Sequence, residues 1–171
     1  SRYSVPPLRK TLRYNSEKIK LIRALELVII DEISMVRADI IDFIDKVLRV
    51  YNQNMREPFG GKQLLLVGDV FQLEPVVKED DRKLLTPYYP NFYFFNAKVF
   101  QEMRLLSVEL KKVYRQGDPS FINILDHVRV NQLQPEDLLQ LNRQVGASLP
   151  EDDSRLAITL SSLRDSVDYI N

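Results

Sequence analysis

The sequence has no cysteine in its 171 residues. That excludes disulfides and thiolate-bound zinc, and it fits a reducing compartment. It has one histidine, His127, so a multi-histidine metal cage is excluded too. No apolar run reaches the ~20 residues a membrane helix needs. No apolar signal region follows Ser1-Arg2-Tyr3-Ser4. A cytoplasmic protein, in the nucleoid if bacterial, is the expectation, with no membrane partner. Neither sign of charge is in excess: 24 Lys and Arg meet 24 Asp and Glu. A standalone DNA-binding module is usually basic, so this balance gives that class no support. The five glycines form no phosphate loop. Gly60-Gly61-Lys62 lacks an earlier spaced glycine and a Ser or Thr after the lysine, and a strand pattern follows it. It reads as a turn.

What the chain does have is an apolar run ending in acid. Leu27-Val28-Ile29-Ile30 leads into Asp31-Glu32. An unbroken run of this kind predicts a strand covered on both faces, as in a parallel sheet. Ligand chemistry in open α/β sheets sits beyond the carboxyl ends of such strands. One carboxylate there can anchor Mg²⁺ with its water shell, and its neighbour can polarise an attacking water. The same residues also read as a buried strand ending in a solvated acidic turn. Further on, Leu64-Leu65-Leu66-Val67 repeats the pattern and ends in Gly68-Asp69-Val70-Phe71-Gln72. Between the two, Val36 to Tyr51 has the helical period, with Val36, Ile40, Phe43, Ile44, Val47, Leu48 and Tyr51 apolar. Asp39, Asp42 and Asp45 read as its solvated surface. Strand, helix and strand make a βαβ unit with both strand tips on one edge. Asp31, Glu32 and Asp69 gather there. Gln72 follows, with an amide able to orient a water or sense a terminal phosphate.

The remainder is read more coarsely. Residues 1–20 hold Arg2, Arg9, Lys10, Arg13, Lys18 and Lys20 against Glu17 alone. Tyr3 and Tyr14 lie among these cations. Such a basic loop either stacks on bases and meets phosphates or is simply solvated. A helix is predicted from Ser16, with Ile19, Ile22 and Leu25 on one face. Residues 78–90 read as exposed loop and Phe92 to Phe95 as core. Asn96 is expected to cap a helix through Met103. Leu105 to Leu110 reads as a third strand with Leu106 and Val108 inward. Arg115 follows it, ahead of a helix opened by Asp118-Pro119. There a guanidinium can meet a γ-phosphate bidentately or pair with a nearby acid. Phe121, Ile122, Leu125 and Val128 mark that helix, with His127 a satisfied or surface side chain. Pro135 opens another helix, which Gly146 ends. Leu156 to Leu160 reads as a last strand, and Ser166 begins a helix.

Three stretches, in order, resemble motifs of superfamily 1 helicases. Val28-Ile29-Ile30-Asp31-Glu32-Ile33-Ser34-Met35 resembles Walker B. Phe59-Gly60-Gly61 with Gly68-Asp69-Val70-Phe71-Gln72-Leu73-Glu74-Pro75-Val76 resembles motif III. Val113-Tyr114-Arg115-Gln116, with Asp118 and Phe121, resembles motif IV. Together they look like the PIF (petite integration frequency) and RecD group, which unwinds DNA 5′ to 3′. The resemblance implies an α/β RecA-like P-loop NTPase core, a parallel sheet with helices on both faces. It implies ATP and Mg²⁺ as cofactors, and single-stranded DNA and duplex junctions as partners of the parent protein; a monomer is the expectation. Asp31 would support Mg²⁺ and Glu32 would activate water. Asp69 and Gln72 would read the γ-phosphate. Arg115 would act as an arginine finger, worth about 10³ to 10⁵ in rate in related systems.

The resemblance also divides the chain. Residues 1–15 would be a basic loop near the wedge that splits duplex, with Arg9, Lys10 and Arg13 as DNA contacts. Residues 16–150 would be the first motor domain without its Walker A part, and 151–171 the start of a second. Glu74 departs from the family's usual proline, and Ser161-Ser162-Leu163 lacks its Thr and Asn. With no Walker A loop, nothing in the sequence supplies a phosphate nest. The expectation is an excised piece of a longer helicase, inactive alone. The alternatives are another DNA-repair or mobile-element ATPase, or a degenerate P-loop-type binding module.

Overall fold

The computed structural model describes residues 16–114, 116–147 and 160–161. The expectations for residues 1–15 (Arg9, Lys10 and Arg13 among them), Arg115, the strand at 156–160 apart from Leu160, and the helix from Ser166 lie outside the described residues.

The first compact unit runs to Val113 and the second begins at Tyr114. That division falls inside the stretch 16–150 expected as one motor domain. In the first unit, α1 spans Ser16–Ala24, β1 Leu27–Ile30, α2 Ala38–Tyr51 and β2 Gln63–Leu66. The two strands pair in parallel, in the register Leu27↔Gln63 to Ile30↔Leu66. The expected strand, helix and parallel strand are therefore present. Ile33, Ala38, Ile41, Leu48, Phe59 and Val99 are among the buried core residues. Val28, Ile30, Leu64 and Leu66 pack on this core from one face of the sheet.

The other face differs from expectation. Leu27, Ile29, Leu65 and Val67 are exposed, Ile29 at 59%. Side chains alternate across a strand, and among the described residues only one face is covered. An apolar run thus marks what a strand can bury, not which face this chain covers.

The buried seam of α2 is also shifted. Ile41 is fully buried, whereas Ile40 and Phe43 are about 40% exposed. The seam runs through Ala38, Ile41, Asp45 and Leu48, so the acidic residues read as solvated surface lie on or beside it. Asp42 accepts from Tyr89 Oη at 2.7 Å and from the backbone N–H groups of Lys98 and Val99 at 3.0 Å. Asp45 accepts from Arg49 Nε at 2.8 Å and Phe59 N at 2.6 Å. Arg49 also donates to Glu102 at 2.7 Å and to the Met55 carbonyl at 3.2 Å. Each carboxylate ties α2 to a segment distant in sequence.

The Phe59-Gly60-Gly61 turn is left-handed throughout, with φ of 53°, 65° and 81°. A Cβ on Gly60 would stand 2.7 Å from the Leu48 carbonyl oxygen, so the turn seats on α2 only through glycine.

Three further expectations are corrected. Residues 78–90 contain α3, Glu79–Leu85. Its acidic first turn suits the positive end of a helix, and Arg37 bridges Asp81 to Asp39. Asn96 to Met103 is not one helix. It is two short 3₁₀ turns, Phe94–Asn96 and Lys98–Gln101, divided by the extended Ala97. Asp42 captures the N–H groups of Lys98 and Val99 there. Leu105 to Leu110 is not a strand. Leu106 is 92% exposed, and no strand among the described residues offers this stretch a ladder. Of the aromatic run, Phe92 and Phe94 pack on the core, while Phe95 is exposed and stacks on Tyr93.

The second unit holds α4, Pro119–Arg129, and α5, Pro135–Asn142. Asp118 caps α4 as expected, accepting from Ser120 N and Phe121 N. His127 is a satisfied side chain, its Nδ1 2.7 Å from Asp137. Asp137 also accepts from Gln134 N in the capping box of α5. No helix among the described residues is long and apolar enough to cross a membrane.

Candidate functional site

Parallel pairing sets the carboxyl edge. Ile30 pairs with Leu66, so the chain leaves both strands side by side. Val67 N donates to the Ile30 carbonyl at 2.9 Å, and Ile33 N donates to the Val67 carbonyl at 3.0 Å. These two bonds bracket Asp31 and Glu32 and hold them beside Gly68 and Asp69. The closeness has a covalent condition: a Cβ on Gly68 would lie 2.8 Å from Ile33 N and 2.9 Å from Ile33 Cγ2. Only glycine lets the second strand end pass under the first.

The acidic pair is bent as well as held. Glu32 is left-handed, with φ 49° and ψ 44°, a conformation that costs a non-glycine residue about 1–2 kcal/mol. Asp31 Oδ1 accepts from Glu32 N at 2.8 Å and supports the bend. Both carboxylates are exposed. Behind them Ser34 is buried, and its Oγ has no hydrogen-bond partner among the described residues.

Beyond β2, Asp69 organises a second turn. Its Oδ1 accepts from Phe71 N at 3.0 Å and its Oδ2 from Gln72 Nε2 at 3.3 Å. Gln72 N returns to the Asp69 carbonyl at 3.1 Å. The amide of Gln72 is therefore tied to Asp69. Of the residues expected to share a site, Asp31, Glu32, Asp69 and Gln72 come to one sheet edge. Arg115 lies outside the described residues.

Among the described residues no three acidic or histidine side chains stand close enough to cage a metal ion. Mg²⁺ does not need such a cage. It binds through one or two carboxylates, with waters and substrate phosphates completing its shell. Exposed carboxylates at a strand end fit that ion and that manner of binding.

Reading single stretches missed the residues that brace this edge. Asp45, Arg49 and Glu102 fasten the turn leading into β2, and Asp42 fastens the segment after α3. Their one local signal was the Asp45–Arg49 spacing of four, which pairs side chains on a helix.

Comparison with known proteins places these features. The family model of the PIF1-like helicases matches residues 8–137. The ATP-dependent DNA helicase PIF1 of Saccharomyces cerevisiae is 32% identical over 165 residues, which is 96% of this chain and 18% of that protein. Its namesake in Rattus norvegicus is 37% identical over 143 residues, 84% of this chain and 21% of that protein. The chain thus spans about a fifth of the length of these curated relatives. A crystal structure of the Bacteroides Pif1 helicase in complex with ADP-AlF3 and ssDNA superimposes with a TM-score of 0.89 at 38% identity, covering 97% of this chain and 38% of that one.

Proposed function

The chain belongs to the PIF1-like helicase family, with its RecA-like α/β fold, and from that premise we propose that it is the motor segment of an ATP-dependent 5′ to 3′ DNA helicase. The parent protein would couple ATP hydrolysis to movement along single-stranded DNA and to the opening of duplex. One observation carries this: Asp31 and Glu32 from one strand end, and Asp69 and Gln72 from the next, share the carboxyl edge of a parallel pair. The names of the relatives, and the ADP-AlF3 and ssDNA bound to the Bacteroides protein, support it.

The chain's residues then take distinct roles. Asp31 is placed to hold Mg²⁺, which neutralises charge on the β- and γ-phosphates when bound. Glu32 orients and polarises the attacking water. Gln72, held by Asp69, faces the terminal phosphate and relays its loss into the 68–76 loop. Arg115 supplies positive charge to the transferred group. The basic start, with Arg9, Lys10 and Arg13, contacts phosphates of single-stranded DNA.

The deciding experiment compares the full-length parent with its Glu32→Gln variant. DNA-stimulated ATP turnover should fall by about 10²- to 10⁴-fold, with nucleotide binding retained. Undiminished turnover would remove Glu32 from its role. The 171-residue chain itself should show no turnover, and turnover abolished by Glu32→Gln would overturn that expectation. Its binding to single-stranded DNA should be weak, with about −0.7 in log–log salt slope for each neutralised phosphate. It should vanish when Arg9, Lys10 and Arg13 all become Ala.

A further inference from the structure

A cavity of about 180 Å³ opens between the loop that follows Gln72 and the turn at 90–93. Pro75, Pro90, Phe92 and Tyr93 are among the residues that line it. Tyr93 is braced by a parallel stack on Phe95, at 5.3 Å between ring centres and 5° between planes. Three polar side chains line the same cavity: Glu74, Arg82 and Asn91. Their chemistry is divided. Glu74 accepts and Arg82 donates. Tyr93 Oη donates to Glu74 Oε2 at 3.2 Å, which orients the carboxylate and leaves it a second oxygen. Arg82 lies over the Phe92 ring, 5.2 Å from its centre, a cation–π contact that restrains the guanidinium. Asn91 Oδ1 accepts from Tyr93 N and from Asn96 Nδ2, so the amide is anchored too.

Two aromatic and two proline side chains beside an acceptor and a donor suit one planar heteroaromatic ring with complementary edges. Guanine offers two donors together on one edge and two acceptors on another. Its N1–H and N2–H suit a carboxylate, and its O6 and N7 suit a guanidinium. Adenine and cytosine bring a carboxylate one amino group each, without guanine's adjacent ring N–H, and thymine has neither the N2 donor nor N7. Unpaired bases are read in this way in single strands, by stacking and by hydrogen bonds on the Watson–Crick edge. We propose that this cleft captures one guanine base, with Glu74 setting the preference and Arg82 assisting, and that single-stranded DNA is the source. That source rests on the DNA contact proposed above; the identity of the base does not. Glu74 stands only two residues beyond Gln72, so a captured base would be felt on the loop assigned to sensing the phosphate.

The test uses the 171-residue chain at low salt and fluorescence anisotropy of labelled thymidine oligomers carrying one central dG or dA. Saturation-transfer NMR with free GMP and AMP runs alongside. The dG oligomer should bind on the order of tenfold more tightly than the dA oligomer. Glu74→Gln should abolish that preference, with affinity for plain thymidine oligomer unchanged. Tyr93→Phe, which keeps the carboxylate, should retain it, and circular dichroism checks that both variants fold. GMP should receive saturation in the wild type and lose it in Glu74→Gln. Equal binding of dG and dA oligomers, or a preference that survives Glu74→Gln, overturns the guanine cleft and leaves the DNA contact standing. Failure of every oligomer, with Glu74-dependent saturation of GMP, overturns DNA as the source and keeps the base. Failure of both arms overturns both.

Discussion

Replacing Asp45 with Ala should destabilise the first unit by about 3 kcal/mol, and the figure comes from its partners. Asp45 Oδ1 receives two donors, Arg49 Nε and Phe59 N. Phe59 is buried, so its N–H loses its only acceptor among the described residues, without access to water. An orphaned buried donor costs about 1–3 kcal/mol. Arg49 is only 7% exposed. Burial works against its charge, but Asp45 and Glu102 outweigh burial and raise its pKa. Stripping a buried pair of one member costs about 3–5 kcal/mol when the other charge is stranded. Here it is not stranded, because Glu102 remains at 2.7 Å. Arg49 keeps that counter-ion, so the ion-pair share is the loss of one charge-assisted hydrogen bond, about 1.5 kcal/mol.

Two assays read the loss. Urea unfolding gives the total. Hydrogen exchange over residues 56–62 gives the local part, where Phe59 protection should fall on the order of a hundredfold. Asp45→Asn keeps an acceptor for Phe59 N and should lose only about 1 kcal/mol. An Asp45→Ala unfolding free energy within about 0.5 kcal/mol of wild type, with exchange over 56–62 unchanged, would refute the assignment of Asp45 as the lock on this turn.

Gly68→Ala should cost about 1–3 kcal/mol, because the new methyl meets backbone at Ile33 N, 2.8 Å away. Gly117→Ala is the control in urea unfolding, since nothing among the described residues stands within 4 Å of a Cβ there. Asp118→Ala should remove the cap of α4 and cost about 1 kcal/mol, visible as faster exchange of the Ser120 and Phe121 amides. The N–H of Gln134, with His127 beside it, holds the Asp137 carboxyl below the usual range. A folded pKa that is depressed adds stability above the unfolded value of 3.8, and that stability is lost as pH falls through the folded value. Helix α5 should therefore loosen in acid below that range, followed on the Gln134 amide resonance, and Asp137→Asn should flatten the transition.

What could be read from the chain beforehand depended on how far its causes lie apart in sequence. The strand ends at Asp31 and Asp69, the turn at Phe59 to Gly61 and the cap at Asp118 each depend on a few consecutive residues. Their physics is local: a β-rich apolar run, a left-handed turn, a side chain reaching two residues on. The βαβ rule then joined two such readings and brought Asp31, Glu32, Asp69 and Gln72 to one edge before any coordinates. Asp42 and Asp45 were misread because their reasons are remote. Their partners Phe59, Tyr89, Lys98 and Val99 lie 14 to 57 residues further on. Helical period sorts residues by hydropathy, and by that measure a buried carboxylate is indistinguishable from a solvated one.

The stretch from Leu105 to Leu110 fails for the complementary reason. Its alternation is a real strand pattern, but a strand exists only with a neighbour, and none of the described residues supplies one. Ile29 and Leu65 make the same point from the sheet: they carry the side chains of a covered strand, and none of the described residues covers them. Pattern therefore states what a segment is able to bury or pair, while the partner that makes it do so can lie outside any stretch being read. The edge bearing Asp31 and Asp69 was legible because strand, helix and returning strand all lie within 40 residues of one another, so the segment and its partner were read together.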